Sequence, residues 1–167
     1  MGHKIITYIM FLMLIASSTI AAVGVDSEDT LETRIGFNSP GRWFQGQVVS
    51  LDLYAYNLHD IRKFRMDVKY DPKQLRLVYV SRGTLLVEDQ GLAQWDSGVI
   101  DNQKGLAANI SGIRSQSFSG QETTLIRLNF IVIGTGSGQI TLENPKIVSS
   151  NGIERAFDFS PLQYQIK

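Results

Sequence analysis

Length, composition and charge already exclude several classes of functional site and partner for this protein. Its 167 residues include no cysteine, and 16 basic residues balance 16 acidic ones, so the formal net charge is zero. Without cysteine, the chain has no disulfides, no thiol catalysis and no cysteine-based zinc site. A neutral chain also has no electrostatic attraction for nucleic acid, so we expect no nucleic-acid partner.

The chain begins with the pattern of a secretory signal peptide over residues 1–21. Lys4 supplies a positive charge, and an apolar run follows at 5–16. Thr19 and Ala21 are small residues, third-last and last before the expected cleavage. The apolar run is shorter than the roughly 20 residues of a membrane-spanning helix. We therefore predict a cleaved signal, no membrane span afterwards, and a secreted, periplasmic or cell-surface location. An uncleaved anchor is the alternative.

Residues 22–30 are predicted to form a flexible, acidic lead-in, and residues 31–167 to form one all-β domain. Short segments of alternating apolar and polar residues recur between turn-forming residues, and none has the spacing of an amphipathic helix. The predicted strands are 31–37, 47–57, 63–70, 75–80, 84–87, 93–97, 106–111, 123–133, 139–142, 146–149 and 157–166. We expect these eleven segments to form about nine or ten separate strands, which is typical of a β-sandwich.

The strand at 63–70 has the most regular alternation. Its apolar positions are Phe64, Met66, Val68 and Tyr70. Its polar positions are Lys63, Arg65, Asp67 and Lys69. A period of two indicates an antiparallel strand with one buried and one solvated face.

Candidate catalytic groups are scarce in the predicted domain. His59 is its one histidine, and it stands in a turn-like segment where a solvated side chain is the simpler interpretation. The carboxylates available for a hydrolase pair are Glu88, Asp89, Asp96 and Asp101. Each stands beside a turn-forming residue, which is typical of solvated turns. We therefore expect that the protein is not an enzyme.

The sequence also has no calcium-loop motif of the Asp-x-Asp-x-Asp-Gly type, so we expect no cofactor and no metal. A structural calcium ion at Asp71 or Asp101 is the alternative.

Four aromatic residues are candidates for stacking on sugar rings if they are exposed in one row. They are Trp43, Tyr54, Tyr56 and Trp95. The alternative for the two tryptophans is that they close the ends of the core.

The order of motifs from 31 to 167 resembles the cohesin family. The resemblance depends on a Tyr-Asp-Pro turn at 70–72, the Leu-x-Leu strand at 74–80, and Gly-Thr-Leu-Leu at 83–86. It continues through 106–111 and 125–132. The resemblance implies a nine-stranded jelly-roll β-sandwich, a fold that cohesins share with certain carbohydrate-binding modules.

In the cohesin family, one sheet face grips calcium-loaded dockerin domains and so assembles polysaccharide-degrading enzymes outside the cell. The resemblance implies an extracellular, dockerin-bearing protein as partner, and we expect a monomer. By position, the partner-binding residues would be Lys63, Arg65, Asp67, Asn109 and Ser111. Lys63 and Arg65 depart from the small polar or acidic residues that dockerin-gripping cohesins tend to carry. Another extracellular protein, or a polysaccharide bound by the aromatic residues, is the alternative partner.

Overall fold

The computed structural model describes residues 32–38, 41–89 and 92–167. The chain divides into two units, Met1–Thr30 and Leu31–Lys167, and every described residue belongs to the second. The predicted signal peptide (1–21) and lead-in (22–30) therefore lie outside the described residues. Within the described part of the chain, no helix has the length and apolar character needed to cross a membrane.

Ten strands and one short helix form the described chain, in agreement with the predicted all-β class. In chain order they are β1 (Arg34–Phe37), β2 (Val48–Lys69), β3 (Leu75–Arg82), α1 (Thr84–Val87), β4 (Gln94–Asp96), β5 (Val99–Asp101), β6 (Leu106–Val132), β7 (Gly136–Ser149), β8 (Glu154–Arg155), β9 (Asp158–Phe159) and β10 (Leu162–Ile166). The count lies within the nine or ten strands predicted from alternation and exceeds the nine that the cohesin resemblance implies. β8 and β9 contribute only two residues each.

Two long strands, β2 and β6, run through both sheets of a β-sandwich. In the first sheet their paired halves are flanked by β1 and β9 on one side and by β3 on the other. In the second sheet their other halves are flanked by β7, β8 and β10 on one side and by β4 and β5 on the other. All pairs are antiparallel except β1 with β9. Across the core, the rings of Tyr70 and Phe130 meet edge to face with 5.1 Å between centroids.

The bend in β2 lies around Asn57 and Asp60, where the sequence predicts a turn between separate strands. Both residues have φ of 55°, in the left-handed region that Asn and Asp adopt more readily than other non-glycine residues. Leu58, between them, is still fully buried. The predicted strands 47–57 and 63–70 are therefore one bent strand. β6 and β7 likewise join segments that alternation alone separates.

The segment 84–87 forms the one-turn helix α1, so the strand predicted there is wrong. Leu85 and Leu86 are both buried, whereas consecutive side chains of a strand point to opposite faces. A helical turn separates neighbouring side chains by only about 100°, so both can reach the core. Gly83 precedes the helix and lies so close to the backbone of Thr124 that a Cβ would overlap its carbonyl group.

The end of β3 also departs from simple alternation. Its pairing with β6 shifts register between Leu77 and Tyr79. Tyr79 is 53% exposed and Val80 only 7%, whereas strict alternation would place Tyr79 on the same face as the buried Leu75 and Leu77. A β-bulge explains this, because one extra residue moves every following side chain to the opposite face.

A buried polar cluster around Gln74 fixes the C-terminal strand. The Tyr164 hydroxyl donates a hydrogen bond to Gln74 Oε1 at 2.8 Å. Gln74 Nε2 in turn donates to the carbonyls of Thr135 and Ser137 at 3.1 and 3.2 Å. Burial raises the pKa of Tyr164 to about 12. The cluster joins β10 to the start of β7 and to the segment that precedes β3.

Candidate functional site

The five residues predicted to bind a partner lie on the outer face of the second sheet. They are Lys63, Arg65, Asp67, Asn109 and Ser111, and we call the surface they define the second-sheet face. The alternating residues of β2, Phe64, Met66 and Val68, are fully buried beneath it. Arg65 pairs with Ser111 of β6 on one side and with Lys146 of β7 on the other. The facing predicted from alternation is confirmed.

Asp67 lies between two β-bulges. β6 and β7 each insert one extra residue in their pairing with β2 next to this position. Asn109 in the β6 bulge has φ of 64°, and Asn144 in the β7 bulge has φ of 49°. Asp67 Oδ1 accepts a hydrogen bond from the backbone N–H of Asn109 at 2.7 Å, and Oδ2 accepts one from Asn144 Nδ2 at 3.1 Å. Each carboxylate oxygen therefore holds one bulge.

Arg65 is connected to the same network, because its guanidinium donates to Asn109 Oδ1. Among the described residues, the side-chain NH₂ of Asn109 and the side-chain carbonyl of Asn144 form no hydrogen bond. Asn144 was not among the predicted site residues. Its one sequence signal is the Asn-Pro pair at 144–145, which indicates a turn rather than a site.

The centre of the second-sheet face is positively charged. Ion pairs at its margin are Lys69–Glu143 (3.2 Å) and Lys146–Glu154 (2.6 Å). Lys63 and Arg65 form no ion pair with any described residue. Asp67 is the one acid among the five defining residues, so the two cations leave a net positive charge there.

The face continues onto β4 and β5. Asp96 lies opposite Ser111, and Val99 lies opposite Ala108. Val99 is exposed. It adds an apolar contact that sequence reasoning missed, since a single surface valine has no distinguishing pattern.

Comparison with solved structures identifies this architecture. A non-cellulosomal cohesin from the hyperthermophilic archaeon Archaeoglobus fulgidus matches with a TM-score of 0.65 and 18% identity, over 81% of this chain and 91% of that chain. A type II cohesin domain from the cellulosome of Acetivibrio cellulolyticus matches with a TM-score of 0.69 and 17% identity, over 80% and 95%. A chain of a type I cohesin–dockerin complex from Clostridium thermocellum matches with a TM-score of 0.67 and 10% identity, over 81% and 99%. The protein has a cohesin-like fold.

At these identities the likeness concerns the fold and not the ligand. No protein-family model matches the sequence, and no curated protein matches it.

The cohesin-like fold separates the four aromatic residues predicted to bind carbohydrate. Trp43 is 1% exposed, so it belongs to the core and not to a surface row. Trp95 is half-buried and lies against Phe64, with 6.4 Å between ring centroids. Tyr54 and Tyr56 stack on the first sheet with centroids 6.2 Å apart, and Tyr56 is 37% exposed. The four aromatic residues therefore do not form the predicted exposed row, and only Tyr54 and Tyr56 lie together.

Three of the candidate catalytic and calcium-binding carboxylates accept hydrogen bonds from neighbouring groups of the protein, and the candidate histidine is exposed. Asp89 accepts hydrogen bonds from the backbone N–H and hydroxyl of Ser115 at 2.6 and 2.8 Å, and these bonds hold its pKa below the ordinary value. Asp71 and Asp101 each accept a hydrogen bond from the backbone N–H two residues later, at 2.8 and 3.0 Å. His59 is exposed in the bend of β2. In the described part of the chain, no three His, Asp or Glu side chains converge as a metal site.

Proposed function

We propose that the protein is a non-catalytic module that binds a dockerin-type protein partner through the second-sheet face. The observation that carries this proposal is the cohesin-like fold, which solved cohesins share over about four fifths of the chain. Several of the similar structures come from cohesin–dockerin complexes. The sheet face that the cohesin resemblance implies for docking is the one on which Lys63, Arg65, Asp67, Asn109 and Ser111 converge.

Charge determines the kind of partner surface that fits. Lys63 and Arg65 are exposed and lack ion-pair partners among the described residues. A partner with carboxylates opposite them gains favourable electrostatics and a faster encounter, whereas a basic partner is repelled. We therefore propose a dockerin-type partner whose contact surface is acidic.

We further propose that the protein acts outside the cell in polysaccharide degradation, after removal of the predicted signal peptide at 1–21. Amino-terminal sequencing of the exported protein tests the export step. A first residue at position 22 supports cleavage, and a first residue at Met1 refutes it.

The docking proposal is tested by surface binding measurements on immobilised protein. The probes are the dockerin of the Clostridium thermocellum type I complex and the X-dockerin of the Acetivibrio cellulolyticus type II complex, each with calcium and then with chelator. Host secretome is passed over the same surface, and retained proteins are identified by mass spectrometry. Calcium-dependent retention of a dockerin-bearing protein is the expected result.

Matched charge reversals locate the contact. Arg65→Glu on the second-sheet face should weaken retention at least tenfold, equivalent to about 1.4 kcal/mol. Arg76→Glu is the control, since Arg76 is also exposed but belongs to β3 of the first sheet. Equal losses in both variants, or no dockerin retained under any condition, would contradict the proposal.

Carbohydrate binding is a second candidate, favoured by the stacked pair Tyr54 and Tyr56 on the first sheet. Aromatic faces of this kind stack on sugar rings. Affinity electrophoresis in gels containing cellulose derivatives or xylan tests it. If the polysaccharide retards the wild-type protein and Arg65→Glu but not Tyr56→Ala, the ligand is a carbohydrate and its binding site lies on the first sheet.

A further inference from the structure

We infer that Asp67 is a positioning residue: its carboxylate holds the bulges of Asn109 and Asn144, and these two asparagines make the partner contacts. The partner contact rests on the proposed function, whereas the holding of the bulges does not. The inference changes the role of Asp67, which the cohesin resemblance would place among the contact residues.

Both oxygens of the Asp67 carboxylate are already engaged within the protein. One accepts the Asn109 backbone N–H at 2.7 Å and the other accepts Asn144 Nδ2 at 3.1 Å. The side chain is half-buried between the two neighbouring strands. Hydrogen bonds to a carboxylate are roughly twice as strong as neutral ones. Each oxygen keeps a second acceptor site, but the half-burial of Asp67 leaves the exposed Asn109 and Asn144 as the more accessible polar groups for a partner.

The bulges need such a restraint. A bulge leaves its extra residue outside the regular ladder, so the backbone there lacks a cross-strand partner. Asn109 and Asn144 both occupy the left-handed region, which asparagine tolerates but does not prefer. The two bulges belong to different strands, on opposite sides of β2. A single carboxylate between them therefore fixes two otherwise independent segments relative to each other.

The held asparagines present complementary polar groups to solvent. Both residues are exposed. Among the described residues, the Asn109 NH₂ and the Asn144 carbonyl have no hydrogen-bond partner. One offers a donor and the other an acceptor, which is the pattern that pairs with a peptide or amide group. Lys63 and Arg65 supply the charge beside them, so the asparagines add directional contacts to an electrostatic surface.

Four variants of the full chain, Asp67→Ala, Asp67→Asn, Asn144→Gly and Lys63→Ala, separate these roles. Asp67→Ala removes both acceptors. Asp67→Asn retains one acceptor for the Asn109 N–H, but it replaces the other by an NH₂ group, so the Asn144 side chain must turn over to keep its bond. Lys63→Ala is the matched control, because Lys63 lies on the same face of β2 but forms no bond to either bulge. Amide hydrogen exchange and ¹H–¹⁵N spectra are recorded without partner. Affinity is then measured for the type I and X-dockerin probes above.

In Asp67→Ala we expect exchange of the Asn109 amide to accelerate at least tenfold, with shifts in residues around both 109 and 144. Asp67→Asn should change the amide shifts of the two bulges by different amounts. This variant still tests the inference if Asp67→Ala does not fold. Dockerin affinity should fall at least tenfold in Asp67→Ala, and Asn144→Gly should weaken it while keeping the left-handed backbone. Lys63→Ala should weaken binding without moving either bulge.

Unchanged bulge amides in both Asp67 variants would overturn the inference, whatever the affinity. Released bulges with unchanged dockerin affinity would overturn the contact role of the asparagines. If the wild-type protein binds neither dockerin, the proposed function fails, and the amide measurements still decide whether Asp67 holds the bulges.

Discussion

Replacing Met66 by alanine and Arg65 by glutamate tests the facing of β2, on which the proposed site depends. Met66 is fully buried, so its truncation should destabilise the fold by about 2 to 5 kcal/mol through lost contacts and a residual cavity. At roughly 3 °C per kcal/mol for a domain of this size, the melting temperature should fall by roughly 6 to 15 °C. Arg65 is exposed and forms a surface hydrogen bond to Asn109, so the charge reversal should change stability by no more than about 1 kcal/mol.

The two variants should behave oppositely in binding. Thermal unfolding followed by circular dichroism gives the stability change, and calorimetric titration with the retained dockerin gives the affinity below the melting transition. Arg65→Glu should lose at least tenfold in affinity, and folded Met66→Ala should bind nearly as the wild type. If Arg65→Glu lowers the melting temperature as much as Met66→Ala, the assignment of inner and outer faces is refuted.

Three further predictions concern stability. Gly138→Ala should cost about 1 to 3 kcal/mol in urea unfolding, because a Cβ would overlap the Tyr164 hydroxyl, whereas Gly36→Ala has open space and should cost less. Because hydrogen bonds from Ser115 lower the pKa of Asp89, its stabilisation should be complete above about pH 4 and lost as pH falls further. Asp89→Asn should therefore flatten the acid side of the stability curve, and an unaltered curve would contradict this. Because burial raises the pKa of both Tyr70 and Tyr164 to about 12, stability should fall as pH rises above about 10. Tyr164→Phe should make that slope shallower, and an unchanged slope would contradict this.

The facing of most strands was predictable because it depends only on neighbouring residues. The strand at 63–70 alternates strictly, and its apolar residues are buried as expected. The predicted facing was wrong where a β-bulge or a helical turn interrupts the period of two. A bulge reverses Tyr79 and Val80, and a helical turn buries the adjacent Leu85 and Leu86.

Whether each tryptophan lies in the core or on the surface was not predictable from the sequence. A tryptophan beside a turn has the same local signature in a core and on a binding surface. Trp43 is buried because its ring stacks on Tyr164, more than a hundred positions later, with 4.7 Å between centroids. Only the approach of β10 decides between the two interpretations.

By itself, the sequence determined the all-β class, the faces of the regular strands and the cluster of polar residues on the outer side of β2. The tertiary structure alone decided which strands lie beside β2, and so placed Asp67 between Asn109 and Asn144, which are 42 and 77 positions away. The physical reason is that alternation records burial along one strand, whereas a bulge exists only between two paired strands. The partner of a strand is selected by the packing of the whole core, and no local pattern encodes it.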